Sequence, residues 1–508
     1  MLTVMNSNVE MDGQFIKSIY QYDSTKAFRS NKGFVVIPER QKLEFQTERN
    51  PKRVGVMLIG WGGNNGTTFT AALEANRQQL KWQTKNGTCQ ANWLGSITQA
   101  STVFLGTDEQ NNEVFAPMKA LVPLLEPNDI HISGWDINAM NIGDAMKRAQ
   151  VLDVNVQNEL YEKLQKYQPR PSIYDKNYIA INQSNRVDNC LTGNKYEQFL
   201  EIKKDIRNFK EQSQCELVIL LWTANTERNS TVQIGINTTM CELETTLKDE
   251  TKNGAISPST IFAMAAMHEK CIYINGSPQN TFVPGVLEMA DYYGGFLVGD
   301  DFKSGQTKVK TVLMDFLINA GIKPKAIVSY NHLGNNDGLN LSEPDQFASK
   351  AQSKGNVIDD IVQSNDLLYK KDEKPDHCVV IKYVPYVGDS KRALDEYTSE
   401  LMMGGHNTLI LHNTCEDSLL AAPLMLDMIV LAELCLRIKV TDLSAFVTMQ
   451  CKPILSMLNY LCKAPQGGSP MFNSLFRQRT TIENILRACI GLAPINNMYL
   501  NEKILKMK

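Results

Sequence analysis

The sequence predicts an α/β protein with more than one domain, and three observations support this prediction. Short, almost wholly apolar runs alternate with helical patterns, which is typical of buried parallel strands joined by crossover helices. A glycine-rich turn separates the first apolar run from the first helical pattern. The chain has 508 residues, which is more than one hydrophobic core usually supports.

The first part of the chain carries the predicted parallel strands. They are expected at Val54 to Ile59, His131 to Trp135, Leu217 to Trp222, Cys271 to Ile274 and Phe296 to Val298. A crossover helix is expected to begin at Ser257 and Pro258, because serine is a common capping residue and proline is favoured in the first helical turn. The first fifty residues show neither pattern, and we expect an irregular lead-in there.

The pattern changes after about Lys308, where a second domain is predicted to extend to about Leu420. The elements expected in it are a helix from Lys308 to Ala320 and strands at Ala326 to Tyr330, Val379 to Tyr383 and Thr408 to His412. The tail returns to helix, at Leu419 to Ile438 and around Thr480 to Ile490. We expect these tail helices to pack back onto the first domain.

The composition argues against several classes of function. The 52 basic and 55 acidic residues give a formal charge of only −3, so nothing in the total suggests a nucleic-acid or membrane-surface protein. The 11 cysteines include no Cys-x-x-Cys spacing, which favours reduced thiols in the cytosol, and no secretory signal is evident. The most apolar stretch, Leu419 to Ile438, contains Asp427, Glu433 and Arg437, so we interpret it as a buried core helix.

The glycine-rich turn, Gly60-Trp-Gly62-Gly63-Asn-Asn-Gly66, is a candidate nucleotide site. Glycines let the backbone approach a pyrophosphate, whose charge is favoured by the N-terminus of the following helix. A tight strand-to-helix turn without a ligand is the alternative. The last glycine comes one residue late, and no acidic residue lies about twenty positions on. Asp136 either replaces that ribose partner or only caps a strand end, and spacing alone leaves both possibilities open.

Polar side chains follow several predicted strands, where open α/β sheets bind their ligands. They are Asp136, Thr223 to Asn225, Asn275 to Ser277, and Asp300 with Asp301. The segment GDDFKSGQTK is not a nucleoside-triphosphate loop, because Gly305 is followed by Gln306 and Thr307 and not by the required lysine.

Eight longer strings carry a resemblance to one family. They are GWGGNNGTT from Gly60, GWDIN from Gly134, LWTANTER from Leu221, NGSPQNTFVPG from Asn275, GDDFKSGQTK from Gly299, SYNHLGNNDGLNLS from Ser329, VGDSKRALDEYTSE from Val387 and HNTCEDSLLAAPL from His412. On these strings, and on NILRACIGLAP near the end, the chain resembles the inositol-3-phosphate synthases, also called inositol-1-phosphate synthases. The resemblance extends from about residue 50 to the C-terminus.

The resemblance implies a Rossmann-like NAD-binding domain split between the two ends of the chain, with a central α+β domain for catalysis and oligomerisation. The implied domains are 1–307, with the lead-in, then 308–420, and then 421–508, which returns to the first. A homotetramer in the cytoplasm is implied as well. The residues implied to contact NAD are Gly60, Gly62, Gly63, Asn64, Asn65, Asp136, Ile137, Thr223, Ala224, Asn225, Asp301, Ser304 and Asp337.

The implied reaction converts D-glucose 6-phosphate to 1D-myo-inositol 3-phosphate, the first step of inositol biosynthesis, which also supplies phospholipid biosynthesis. NAD takes a hydride from carbon 5, carbon 6 is deprotonated, the enolate attacks the carbon 1 aldehyde, and the ring ketone takes the hydride back. Negative charge develops on oxygen beside a phosphate, so the site needs positioned cations that also exchange protons. Lysine meets both needs, because a clustered or buried ammonium can titrate near neutral pH.

The matching lysines are Lys350, Lys354, Lys391 and Lys463, and a helical interpretation of QFASKAQSKG places the first two on one face. By the resemblance, Lys350 takes the proton of the carbon 5 hydroxyl, Lys391 and Lys463 stabilise oxyanions, and Lys354 contacts the phosphate or orients Lys350. Asp417 and Asp337 are expected to position lysines or the nucleotide, and Asp301, implied to be catalytic as well, is expected near the nicotinamide end. The alternatives are a solvated surface charge for each lysine, and a cap or turn residue for Asp417 and Asp337.

Some features depart from the family pattern or stay open. The segment after Lys463 is shorter than usual, Phe104 replaces a common arginine, and Arg477 stands where lysine is frequent. No protein metal site is assigned, because the six histidines do not cluster. Two other functions remain as alternatives, namely an NAD-linked sugar-phosphate dehydrogenase that releases NADH and a non-catalytic NAD-binding sensor.

Overall fold

The fold was analysed in a computed structural model, which describes residues 2–5, 8–31, 33–451, 458, 460–463 and 472–498. The strands are β1 (Val9–Met11), β2 (Phe15–Ser30), β3 (Gly33–Glu48), β4 (Val54–Ile59), β5 (Lys81–Thr84), β6 (Gly87–Gln90), β7 (Thr102–Thr107), β8 (Glu113–Pro117), β9 (His131–Asp136), β10 (Arg170–Pro171), β11 (Leu217–Trp222), β12 (Ile272–Asn275), β13 (Phe296–Val298), β14 (Lys323–Leu333), β15 (Asp376–Tyr383), β16 (Ser390–Glu400), β17 (His406–Glu416), β18 (Ile438–Asp442) and β19 (Val447–Gln450). The helices are α1 (Asn64–Arg77), α2 (Ile97–Ala100), α3 (Ile142–Ala149), α4 (Val154–Leu164), α5 (Lys195–Ser213), α6 (Met240–Lys248), α7 (Pro258–His268), α8 (Pro284–Tyr293), α9 (Gly305–Asn319), α10 (Asn336–Asn340), α11 (Pro344–Gly355), α12 (Asp359–Gln363), α13 (Asp417–Arg437) and α14 (Leu475–Cys489).

The central sheet is parallel and has the spatial order β10-β9-β4-β11-β12-β13. Numbered along the chain, its strands follow the order 3-2-1-4-5-6 of dinucleotide-binding folds. The five predicted strands are all present, and β4 and β11 have the predicted bounds and are wholly buried. The prediction of a parallel α/β sheet is therefore confirmed. Its topological switch point lies between β4 and β11.

Local sequence signals explain where the crossover helix α7 begins. The Ser257 side chain accepts a hydrogen bond from the backbone N–H of Thr260, and Pro258 is the first residue of α7. Nearly every residue of α7 is buried, because the helix packs between α5, α8 and the sheet. The predicted start of this helix is confirmed.

The second sheet has four strands in the order β15-β14-β16-β17, with β14 parallel to β15 and antiparallel to β16. Three of its strands were predicted, and the fourth, β16, was not. Along β16, the residues Ala393, Asp395, Tyr397 and Ser399 point to the buried face, while a mixture of charged and uncharged residues alternates with them on the open face. An aspartate at a buried position hides the apolar alternation that would have marked the strand.

The prediction of an irregular lead-in was wrong. The strands β2 and β3 form a long antiparallel ribbon, and β3 continues into pairing with β18 of the tail. Apolar residues such as Ile16 and Phe45 are buried only near the base of the ribbon, whereas Phe28 and Phe34 near its tip are exposed. A ribbon that is exposed on both faces over much of its length has no consistent alternation of apolar and polar residues, so its pairing could not be recognised locally.

The helix α13 confirms the interpretation of the most apolar stretch as a core helix. Among the described residues it is the one helix long and apolar enough to cross a membrane, but 83% of its most apolar window is buried inside the molecule. Its buried charged groups have polar partners. Arg437 forms an ion pair with Glu433, and Asp427 accepts hydrogen bonds from Ser96 and Thr98. Helix α13 also packs against α1, the helix that follows the glycine turn.

Candidate active site

The glycine turn is shaped by close packing between β4, α1 and the end of β11. Gly60 has a positive φ of 85°, and a Cβ there would lie 2.5 Å from the Cα of Ala224. A Cβ on Gly66 would lie 2.3 Å from the backbone oxygen of Trp61. Both positions therefore require glycine, and the turn leaves the start of α1, at Asn64, against an open cavity.

Asp136 ends β9 beside this turn. One carboxylate oxygen accepts a hydrogen bond from the Gly62 N–H at 2.8 Å, and the other accepts one from the Asn138 N–H at 2.9 Å. Burial raises the pKa of Asp136, and the nearby guanidinium groups of Arg186 and Arg148 only partly oppose this. The side chain thus stabilises the turn, as the strand-cap alternative required, and it also lines the cavity.

A cavity of about 410 Å³ lies at the carboxyl ends of the sheet strands, where the topology places ligand sites. Most of the sequence-predicted site residues line it together, namely Gly60, Gly63, Asn64, Asn65, Asp136, Ile137, Thr223, Ala224, Asn225, Asp301, Ser304, Asp337, Lys350, Lys391, Asp417 and Lys463. The two exceptions are Gly62, which faces Asp136, and Lys354, which lies behind the wall. The glycine turn therefore lines one side of this cavity, and lysines line the other.

Asp301 lies between two of the lysines. Its Oδ1 accepts a hydrogen bond from Lys350 Nζ at 3.0 Å, and its Oδ2 accepts one from Lys463 Nζ at 2.8 Å. Ser353 donates a third hydrogen bond at 3.1 Å. Burial alone would raise the pKa of Asp301, but the two ammonium groups outweigh it and hold the pKa well below its usual range. The carboxylate is therefore ionised and is the shared counter-ion of both lysines.

The two lysines that share this carboxylate differ in pKa. Burial lowers the pKa of Lys463 to about 8, because the positive charges of Lys350 and Lys391 reinforce the effect of burial. Burial also lowers the pKa of Lys350, but Asp301 and Asp337 outweigh it and raise the pKa to about 12. Lys463 is therefore the member of this cluster that can exchange a proton near neutral pH.

A second ion pair completes the lysine side of the cavity. Lys391 Nζ donates to Asp417 Oδ1 at 3.2 Å, and both residues are partly buried. Burial raises the pKa of Asp417, but Lys391 and Lys350 outweigh it and lower the pKa. Asp337 contacts the loop after β11, where it accepts hydrogen bonds from the N–H and hydroxyl of Thr226.

Lys354 is 2% exposed and, in the part of the chain that the structure describes, has no carboxylate partner within ion-pair distance. Its ammonium donates to Gln306 Oε1 at 2.9 Å and to Asn331 Oδ1 at 3.0 Å. Burial and the surrounding lysines hold its pKa well below its usual range. Lys350 and Lys354 lie on one helix, as the sequence predicted, but only Lys350 reaches the cavity wall.

Among the lining residues that were not selected from the sequence, Asp389 and Arg148 form hydrogen bonds with the glycine turn. Asp389 accepts hydrogen bonds from the Asn64 and Asn335 side chains at 3.1 and 3.3 Å and from the Ser418 N–H at 2.8 Å. Asp389 thereby links the glycine turn to the segments around Asn335 and Ser418. Arg148 donates to the carbonyl oxygen of Gly62. Asp389 stands two residues before Lys391 in one of the quoted strings, so that string held the signal. Arg148, on α3, had no such signal in the sequence around it.

The sequence departures lie away from the cavity or outside the described residues. Phe104 packs against Phe115, and the Arg477 guanidinium lies over the Phe472 ring. The short segment after Lys463, at 464–471, is outside the described residues. Within the described ranges, no group of three or more histidine, cysteine, aspartate or glutamate residues is arranged to hold a metal ion.

The strand order, the glycine turn at the switch point and the lysine-lined cavity define a nucleotide-binding enzyme with a Rossmann-like fold. A model of an NAD-binding family described as myo-inositol-1-phosphate synthase matches residues 54–487. The chain belongs to this family.

Relatives and a solved structure agree with this assignment. The chain is 58% identical over 507 residues to an inositol-3-phosphate synthase of Drosophila melanogaster, covering 99% of this chain and 89% of that protein. It is 54% identical over 504 residues to inositol-3-phosphate synthase 1 of Homo sapiens, covering 99% and 90%. The crystal structure of an inositol-3-phosphate synthase from Caenorhabditis elegans is similar with a TM-score of 0.95 and 44% identity, covering 98% of both chains. The resemblance seen in the sequence is therefore confirmed.

Proposed function

We propose that this chain converts D-glucose 6-phosphate to 1D-myo-inositol 3-phosphate with bound NAD and no net redox change. The overall conversion, an isomerase reaction of inositol biosynthesis, follows from the family and from the names of the relatives. The single observation that carries the assignment of residues is the shared cavity, in which the glycine turn faces Asp301 and its two lysines.

The residues of the glycine side fit a dinucleotide. The close approaches at Gly60 and Gly66 leave no room for a Cβ, and α1 begins where a pyrophosphate would meet its first-turn amides. We assign Gly62, Gly63, Asn64 and Asn65 to the pyrophosphate, Asp136 and Ile137 to the adenosine ribose, and Thr223, Ala224, Asn225, Asp301, Ser304 and Asp337 to the remainder of the nucleotide. When bound, NAD would accept a hydride from carbon 5 of the sugar and return it to the ring-closed ketone.

The lysine side supplies the proton transfers and charge stabilisation. We assign proton exchange at the carbon 5 hydroxyl to the unit of Lys350, Asp301 and Lys463. Lys350 is the partner of the hydroxyl expected from the sequence, and Lys463 is the member whose pKa of about 8 lies nearest neutrality. Lys391, held by Asp417, and the charged form of Lys463 would stabilise the oxyanions of enolisation and ring closure. Lys354 lies behind the cavity wall and has no carboxylate within ion-pair distance among the described residues, so a phosphate that enters beside it would supply its counter-ion.

We also propose the division into domains 1–307, 308–420 and 421–508, with the last returning to the first. The packing of α13 on α1 and the pairing of β18 with β3 support this return. A homotetramer is supported by the open face of the second sheet, where Tyr330, Leu394 and Ile410 are 48%, 44% and 64% exposed. Neighbouring pairs in the sheet register bring these side chains onto the same face. The thiols, none of which is in a disulfide among the described residues, agree with the cytoplasm.

One experiment tests the reaction against its alternatives. Purified protein is supplied with glucose 6-phosphate and a trace of NAD far below the substrate concentration, while NADH absorbance and cyclic phosphate are followed together. Cyclic phosphate in large excess over NAD, without accumulating NADH, is the expected result. NADH that rises in step with substrate loss would establish a dehydrogenase, and nucleotide binding without conversion would establish a sensor.

A further inference from the structure

A set of buried polar contacts lies behind Lys354, on the side away from the cavity. Lys354 Nζ donates to Gln306 Oε1, and Gln306 Nε2 in turn donates to Asp395 Oδ1. The Gln306 amide therefore turns its NH₂ group toward Asp395 and its oxygen toward Lys354. Gln306 thus lies between Lys354 and the Asp395 carboxylate.

Lys310 lies one helical turn after Gln306 on α9 and is also buried. Its Nζ is 2.7 Å from Nε2 of His377, on β15. The His377 ring also forms a hydrogen bond with the backbone of Gly355, the residue that follows Lys354. Burial and Lys310 lower the pKa of His377 to about 3, so the ring is neutral and its Nε2 accepts from the lysine. Helix α9 thus contacts Lys354 through Gln306, and it contacts the next residue, Gly355, through Lys310 and His377.

We propose that Lys310 and His377 are positioning residues for Lys354, and that their contact determines how tightly the phosphorylated substrate is held. The inference rests on the function proposed above, in which Lys354 contacts the phosphate. Like Lys354, which lies behind the cavity wall, neither residue lines the cavity, and both would act through Lys354 when the phosphate enters beside it.

The charge of Asp395 explains why Lys310 is needed. Asp395 is fully buried, and its Oδ2 has no hydrogen-bond partner among the described residues. Burial lowers the pKa of Lys310 to about 8, but the negative charge of Asp395 opposes this, so the two groups attract one another. Without the Lys310 ammonium, Lys354 would still be linked to Asp395 through Gln306. Lys354 would then serve as the counter-ion of Asp395 and would be drawn away from the phosphate.

The test measures KM for glucose 6-phosphate, kcat and NAD affinity in the full-length protein. Lys310→Met is expected to raise KM by about tenfold or more, with kcat and NAD affinity within about threefold of the parent. Lys310→Arg retains the charge and is expected to restore most of the affinity. Lys308→Met is the matched control, because Lys308 is on the same helix but packs over the Tyr460 ring. Its kinetics are expected to match the parent.

A second pair of variants covers the case in which Lys310→Met fails to fold. His377→Gln retains an acceptor for Lys310 and a donor for Gly355, so it is expected to keep a KM close to that of the parent. His377→Leu loses both and is expected to raise KM. The inference would be overturned if Lys310→Met or His377→Leu had the parental KM, or if kcat fell at unchanged KM. Either result would leave the proposed function standing. A parent protein that forms no inositol phosphate would instead overturn the proposed function.

Discussion

At the residue scale, the most informative group is the Asp301 carboxylate, because it contacts two lysines that differ in proton affinity. Lys350 is held as a cation with a pKa of about 12, whereas the pKa of Lys463 is about 8. The difference arises from neighbours, since Lys350 faces further carboxylates and Lys463 faces further ammonium groups. A charged and a titratable lysine therefore lie side by side in a site that must both stabilise oxyanions and move protons.

Replacement of Lys350 tests the first of these roles. Lys350→Ala is expected to lower inositol phosphate formation by about a thousandfold or more, because it removes the proposed partner of the carbon 5 hydroxyl and one counter-ion of Asp301. NAD affinity, measured by isothermal titration calorimetry, is expected to stay within about threefold of the parent. Lys374→Ala, at an exposed ion pair with Asp359, serves as the control. A Lys350→Ala enzyme that turns over at the parental rate would remove this lysine from the mechanism.

The lowered pKa of Lys463 predicts the pH dependence of turnover. Below pH 8 the side chain is mostly protonated, and its neutral, proton-accepting fraction rises about tenfold per pH unit. With saturating substrate, the rate is therefore expected to rise with pH up to about 8 and then level off. In Lys463→Arg, which stays charged, the rate is expected to be lower and this limb absent. An unchanged rising limb in the variant would assign it to another group.

At the element scale, the loop after β11 is joined to the N-terminus of α7 by a buried carboxyl group. Glu227 accepts hydrogen bonds from the Ser259 N–H at 3.1 Å and from its hydroxyl at 2.6 Å. This loop supplies Thr223, Ala224 and Asn225 to the cavity. Burial raises the pKa of Glu227 to about 7, which the hydrogen bonds only partly offset.

The sign of the pH effect on stability follows from this shift. Between the unfolded pKa near 4.5 and the folded value of about 7, the folded state binds more protons, so its stability falls as pH rises. The loss amounts to at most about 3 kcal/mol in the free energy of unfolding. Glu227→Gln is expected to flatten the dependence in urea unfolding between pH 5 and 7.5. Glu201→Gln, at an exposed ion pair, is the control and is expected to leave the pH dependence of the free energy of unfolding unchanged. If Glu227→Gln showed the same slope as the parent, the assignment would be contradicted.

Prediction from sequence succeeded for elements whose signals are local and failed for those that depend on distant pairing. Strands β4 and β11 are continuous apolar runs, and their bounds were predicted correctly. Strand β16 was missed because buried Asp395 interrupts its apolar face. The ribbon of β2 and β3 was missed because most of it is exposed on both faces.

At the scale of the whole molecule, the open face of the second sheet predicts association. The double variant Leu394→Asp with Ile410→Asp places two charges on that face, so it is expected to reduce the proposed tetramer to a smaller species in sedimentation velocity. Leu367→Asp is the matched control, since Leu367 is 94% exposed outside this sheet. A double variant that sediments as the parent does would place the subunit contacts elsewhere.

The sequence by itself determined the parallel sheet, the glycine turn and the identities of the lysines, because these depend on residues that are neighbours in the chain. Only the tertiary structure decided how they meet. Asp301 and Lys463 are separated by 162 positions and touch because strand and tail converge on one edge of the sheet. Burial depth and neighbouring charge also come from the assembled fold, and they make Lys350 a fixed cation and Lys463 a titratable group.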